Sequence, residues 1–219
     1  MISKATLDFL TNLKNNNNRE WFTEHKKEFQ TLEKEYKAFA NELVVELSKT
    51  DSIDKIQMFR IYRDVRFSKD KSPYKTNLGI WFSTRKNQKN APGYYIHYEK
   101  GSSFIAAGIH CPEPEDLKKI RKEIAFFQED LEEILANPSF KKEYGSLDRD
   151  ESNVLKKAPK DYDPNHPAIE FLKLKSFTAT QKIDDSLFTD NDFAKKMAKK
   201  LIILKPLTVF LNRALETIE

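Results

Sequence analysis

From Arg19 to Lys49 apolar residues return every three or four positions, at Phe22, Phe29, Leu32, Tyr36, Phe39, Leu43 and Leu47, with neither Gly nor Pro between them. A stripe of that period predicts one long amphipathic helix that buries one face, with His25 on the same face. The segment before it, Thr6–Lys14, carries Leu7, Leu10 and Leu13 at helical spacing and then meets Asn15–Asn18. Asparagine side chains compete for backbone hydrogen bonds, so the first helix should stop there, and Asn18 fits the N-cap of the next.

The period then changes. Gln57–Phe67, Leu78–Ser83, Tyr94–Glu99 and Phe104–His110 are short, aromatic and β-branched, and the gaps between them are too short for crossover helices. They predict a largely antiparallel sheet of about four or more strands. Pro112 and Pro114 end it, and Glu115–Ala136 resumes the helical period until Asn137-Pro138. Residues 139–183 look irregular apart from a short helix at Ala168–Lys173. A last helix, capped within Asp190–Asp192, should run through Met197, Leu201 and Leu211 to Ile218, kinked or split at Pro206. Helices, then strands, then helices predict an α+β fold, with residues 1–219 as a single domain packed by long N-terminal, central and C-terminal helices.

Composition excludes several classes. Of 219 residues, 33% are charged, 39% are hydrophobic and only five are Gly, which fits a soluble globular chain rather than a collagenous or low-complexity one. The longest run without Asp, Glu, Lys or Arg, Gly101–Pro112, is shorter than the roughly 20 apolar residues of a membrane span. Met1-Ile2-Ser3-Lys4 opens no apolar leader, and the lone Cys111 can form no intrachain disulfide. A cytoplasmic protein without a membrane partner is expected.

The formal net charge of +4 is localised. Residues 57–75 hold six basic residues against Asp64 and Asp70, which accounts for the whole excess. Strand alternation over this segment would turn Phe59, Ile61, Arg63, Val65 and Phe67 to the core and Arg60, Tyr62, Asp64 and Arg66 outward. A buried Arg63 then needs a carboxylate, backbone carbonyls or an anionic ligand. Ser68, Lys69, Lys71 and Lys75 follow on a loop, and Tyr74 should line its rim. Guanidinium forks mixed with lysine point charges suit phosphate or carboxylate, and equally suit a salt-bridged strand with a solvated basic loop.

Asn16-Asn17-Asn18-Arg19-Glu20-Trp21-Phe22, His25-Lys26 and the run Arg63-Asp64-Val65-Arg66-Phe67-Ser68-Lys69-Asp70-Lys71-Ser72-Pro73-Tyr74-Lys75 resemble a bacterial and fungal family known as domain of unknown function two-four-six-one. Tyr94-Tyr95-Ile96-His97 and the stretch from Pro159 to Pro167 resemble it too, so the likeness covers nearly the whole chain. The family carries Pro-Arg-Gly-Phe where this chain has Pro159-Lys160-Asp161-Tyr162, so a different turn is expected at Asp161. No reaction comes with the resemblance. It does imply that the basic segment is a feature of the family.

Three readings follow. In the first, Arg60, Arg63, Arg66, Ser68, Lys69, Lys71, Tyr74 and Lys75 bind a phosphate-type anion, a nucleotide or a nucleic acid strand, with Tyr94, Tyr95 and Trp81 as stacking surfaces and Arg19, Trp21 and Tyr95 at the cleft rim. In the second, the same groups hold a small anionic substrate while Asp64 or His97 serves as acid or base. In the third, the charges are a structural network on an interaction protein. Strand alternation groups His97 with Tyr95 and Glu99, and His97 and His110 lack the spacing of a metal site, so neither metal nor cofactor is expected. His166 should fix a turn. Five scattered glycines cannot build a glycine-rich phosphate loop.

Overall fold

The asparagine run breaks the first helix as its side chains predict. Helix α1 (Lys4–Asn15) closes where the Asn16 N–H turns back to the carbonyls of Asn12 and Leu13, at 3.0 and 3.2 Å. The Asn18 side chain then accepts the Trp21 N–H at 2.9 Å and opens α2 (Arg19–Glu24). The structure, a computed structural model, describes residues 2–85 and 91–216.

The single helix expected from Arg19 to Lys49 is divided, because His25 (φ −97°, ψ 10°) stands between α2 and α3 (Lys26–Leu47). Its ring stacks on Trp21 at 4.0 Å, and its Nδ1 lies 2.8 Å from the Trp21 carbonyl oxygen. The ring shares that carbonyl with the His25 N–H, which reaches it at 3.1 Å, so the division lies in the His25 backbone angles and not in a lost bond.

Strands β1 (Lys55–Met58), β2 (Leu78–Ser83), β3 (Gly93–Tyr98), β4 (Phe104–Ile109) and β5 (Phe177–Lys182) form one antiparallel sheet in chain order. The fold is α+β. β5 corrects the irregular reading of residues 139–183, and α6 (Pro138–Glu143) lies there too. Asn137-Pro138 both stops one helix and starts another, since the Asn137 side chain accepts the N–H groups of Ser139 and Phe140 at 2.9 and 3.3 Å. The expected Glu115–Ala136 helix is two, α4 (Pro114–Phe126) and α5 (Gln128–Ala136), parted at Phe127 (φ −125°, ψ 43°). A short α7 (Ile169–Leu172) follows, preceded by a turn in which His166 Nδ1 accepts the Ala168 N–H at 3.0 Å. At the C-terminus a 3₁₀ turn, Ile202–Leu204, separates α8 (Phe193–Leu201) from α9 (Lys205–Glu216), so the expected split falls just before Pro206, which sits in the first turn of α9. Ile218 lies outside the described residues.

The chain divides into two compact units. The first comprises Met1–Phe82, Tyr95–Ile105 and Lys182–Lys199. Its core is aromatic, with Phe39 on Phe193 (5.0 Å), Phe193 on Phe188 (4.6 Å) and Phe188 on Tyr98 (4.1 Å). The second comprises Ser83–Tyr94, Ala106–Gln181 and Lys200–Glu219, where α4 packs on α9 through buried Ile120, Ile124, Leu207 and Leu211. Among the described residues no helix is long and apolar enough to cross a membrane.

Candidate functional site

The alternation expected of Gln57–Phe67 does not hold. β1 ends at Met58, and further along Tyr62 pairs with Tyr74 in an isolated antiparallel bridge. Arg63 N–H donates to the Pro73 carbonyl at 2.9 Å and Lys75 N–H to the Ile61 carbonyl at 2.7 Å, so residues 63–73 form a closed loop. Pro73 has no N–H to extend the ladder, and the charged side chains of the loop bond to each other instead. Ile61 is buried as expected, whereas Phe67, expected toward the core, is 96% exposed, and Phe59 is exposed as well. Arg60, Tyr62, Asp64 and Arg66 face outward, and Arg63 is half-buried rather than buried.

The loop is stapled from within. Asp70 accepts the Ser72 hydroxyl, the Arg63 guanidinium and the Ser72 N–H, the last at 2.9 Å. Those bonds, the Ser72 hydroxyl foremost, hold its carboxyl well below the usual carboxylate range. Arg66 forks onto Asp64 at 2.9 Å from Nε and 2.7 Å from Nη2, which keeps the Asp64 carboxyl low in turn. Lys71 Nζ donates to the Val65 carbonyl at 3.0 Å, and Ser68 Oγ lies 3.5 Å from Arg63. The loop root is tied to the asparagine run. Asn17 donates to the Tyr74 carbonyl at 3.0 Å and accepts the Tyr74 N–H at 3.1 Å, while Phe22 stacks on the Tyr74 ring at 4.1 Å.

Beside this loop, within the first unit, opens a cleft of about 790 Å³. Arg63, Asp64, Tyr74, Lys75, Tyr95 and His97 line it. Arg60, Arg66, Ser68, Lys69, Lys71, Arg19 and Trp21 do not, so the expected site is only partly assembled there. Arg66 is spent on Asp64, Lys71 on a carbonyl, and Trp21 on His25 and Phe9. Tyr94 is fully buried and offers no stacking face. Lys14, Asn17, Asp70, Ser72, Thr76 and Asn77 line the cleft without having been singled out. Asp70 and Ser72 sit inside the recognised motif. Asn17 sits in the other recognised segment, read there as a helix stop and not as a cleft residue, and no local pattern marks Lys14.

Alternation does hold on β3. Tyr94, Ile96 and Tyr98 are buried, and on the other face the Tyr95 hydroxyl lies 3.2 Å from His97 Nδ1 while His97 Nε2 lies 3.2 Å from Glu99 Oε2. Thr76 donates to the other Glu99 oxygen at 3.3 Å. A carboxylate accepts the Nε2–H, so Nδ1 is left to accept from the phenol. Phe104 stacks on the imidazole at 4.5 Å. Burial pushes the Tyr95 phenol up to about 12, which keeps it a neutral donor. Gly79 leaves room for that phenol, because a β-carbon at this position would collide with the Tyr95 hydroxyl.

Lys75 has a different environment. Its ammonium sits 5.5 Å from the Phe59 ring centroid, and no described carboxylate forms an ion pair with it. Burial, and then the nearby Arg60 charge, lower its pKa. The cleft therefore presents an uncompensated cation at one wall and a Tyr–His–Glu chain at another. Among the described residues no three His, Cys, Asp or Glu gather as metal ligands.

Searches among curated proteins and among solved structures return no match. The model of one family does match, over residues 5–210, and so takes in the asparagine run, the stapled loop and the histidine strand together. The chain belongs to the family described as Conserved hypothetical protein (DUF2461).

Proposed function

We propose that the cleft binds a phosphate-type anion, as a free nucleotide or as part of a nucleic acid. The observation that carries this reading is Lys75. A half-buried cation without a counter-charge is costly to hold, and a bound anion would supply what the chain does not. Arg63, which lines the same cleft, presents a guanidinium already oriented by Asp70. A cytoplasmic setting suits the reading, since Cys111 is exposed and free.

Isothermal titration with inorganic phosphate and a nucleoside monophosphate tests it. The expected result is saturable binding that Lys75→Met weakens roughly tenfold, the loss of one charge-assisted contact. Absence of binding in the unaltered protein, or equal affinity in Lys75→Met, overturns it. A scaffold role for the loop alone would make Arg63→Ala less stable without changing any ligand response.

A second reading, an enzyme acting on a small anionic substrate, is favoured by the Tyr95–His97–Glu99 chain. In it His97 is the acid or base, Glu99 fixes its tautomer, and Asp64 holds the Arg66 guanidinium. If His97→Asn leaves turnover of a panel of phosphate esters unchanged, that role is wrong.

A further inference from the structure

Among the exposed large hydrophobic side chains of the first unit are Val45, Ile56, Phe59, Tyr62 and Phe67, and its three aromatics fall within nine residues of one another. An almost fully exposed ring such as Phe67 gains nothing for folding, and a segment that adds two half-exposed rings to it calls for a partner. The charges around them are unbalanced in a specific way. Asp64 and Asp70 are consumed by Arg66 and Arg63, while Arg60, Lys69, Lys71 and Lys75 form no ion pair with any described residue. These four cations interleave with or flank the three rings along residues 59–75.

We propose that residues 59–71 are a stacking platform for single-stranded nucleic acid, with bases on Phe67, Tyr62 and Phe59 and phosphates on Arg60 and Lys69, which lie between and just after them in the chain. This rests on the anion-binding reading of the adjoining cleft and names its ligand class. A polyanion whose units each carry a flat π-face is the partner that uses rings and cations together. A duplex keeps its base faces stacked on each other and offers none to a side chain. A membrane surface would reward a larger continuous apolar face than one fully exposed ring and two partly exposed ones. Two of the rings are already fixed. Tyr62 packs against Phe22 at 5.8 Å and Tyr74 at 5.4 Å, and Phe59 meets Tyr95 edge-on at 6.1 Å. Phe67 is the free end, with the Arg66 guanidinium 5.9 Å from its ring centroid. Ring positions held before binding reduce the ordering cost of the complex.

The test pairs two ligands with two variants. A labelled oligothymidylate of roughly 12 nucleotides, within the site sizes known for single-strand binders, is titrated by anisotropy alongside inorganic phosphate by calorimetry. Phe67→Ala, at a site with little packing to lose, should weaken oligonucleotide binding roughly tenfold and leave phosphate affinity unchanged. Phe67→Trp should retain binding, and its added indole emission should be quenched by the oligonucleotide. Equal oligonucleotide affinity in Phe67→Ala, equal affinity for a duplex, or an emission blue shift on anionic vesicles instead of quenching on DNA each overturns the platform. A protein that binds oligonucleotide through Phe67 yet shows no phosphate affinity keeps the platform and removes the cleft reading.

Discussion

Two arginine- and lysine-rich regions of this molecule treat their charges in opposite ways. In the second unit Arg213 is held by Glu123 and, at 2.6 Å, by Asp130, with Phe127 and Phe210 rings 4.8 and 5.2 Å from its guanidinium carbon. Lys200, in the same unit, is shared between Glu143 at 2.6 Å and Gln181 at 3.2 Å. Both of these cations have their answer inside the chain. In the first unit Lys75 also lies against an aromatic ring, but among the described residues no carboxylate pairs with it. A lysine or arginine near an aromatic is thus uninformative by itself. Whether the chain supplies the counter-charge separates a charge that builds the fold from one available to a ligand.

The comparison can be broken at its strongest point first. Arg213→Ala leaves the buried Glu123 carboxylate unpaired and should cost about 2–3 kcal/mol in urea unfolding, below the scale of a fully buried ion pair because the guanidinium is itself half exposed. A loss well under 1 kcal/mol would place Arg213 in the same class as Lys75. Next, Gly79→Ala should cost about 2 kcal/mol, because a methyl group overlaps the Tyr95 hydroxyl and must displace it from His97. The displacement should also appear as a shift of the His97 ring signals in NMR. Asn17→Ala removes both bonds to the Tyr74 backbone and should cost about 1–2 kcal/mol.

The smallest stability effect is expected at Lys75, where Lys75→Met should change unfolding free energy by less than about 0.5 kcal/mol, since no ion pair is lost. Its effect belongs to pH instead. The lowered pKa means that the folded protein releases this proton earlier than an ordinary lysine, so anion affinity should decline as pH rises while exposed lysines are still charged. Asp70 runs the other way. Its depressed pKa contributes stability that is present above the ordinary aspartate range and is lost only as pH falls well below it. A loop that loosens near pH 4, followed by amide exchange of Ser72, would contradict the staple.

Local regularities were readable where local forces decide. The buried and open faces of β3 follow from the alternation of Tyr94–Tyr98, the asparagine run marks both helix ends, and Pro206 marks the division of the C-terminal helix. The rest depended on partners remote in sequence. β5 reads as Phe-Thr-Ala-Thr-Gln-Lys, too polar to announce a strand until a neighbouring strand is in place. Residues 59–67 have the aromatic content of a strand, yet Arg63 finds Asp70 and Arg66 finds Asp64, and those side-chain bonds bend the backbone out of the ladder. The helix divides at His25 through the backbone angles of that one residue, which apolar spacing does not register. Of the cleft, the basic motif was legible, but Asn17 meets Tyr74 across 57 positions.

That last pair has a consequence at the level of the sheet. In the Tyr62–Tyr74 bridge the bonds run through the flanking residues, so the N–H and C=O of Tyr74 itself point away from Tyr62. One carboxamide, Asn17, satisfies both, much as a further strand would. It therefore works as a stopper on a β-edge, the kind of edge through which chains pair with copies of themselves when it is left open. Replacing it by Ala would uncap that edge as well as weaken the fold, and self-association should rise with protein concentration beyond what the lost stability accounts for.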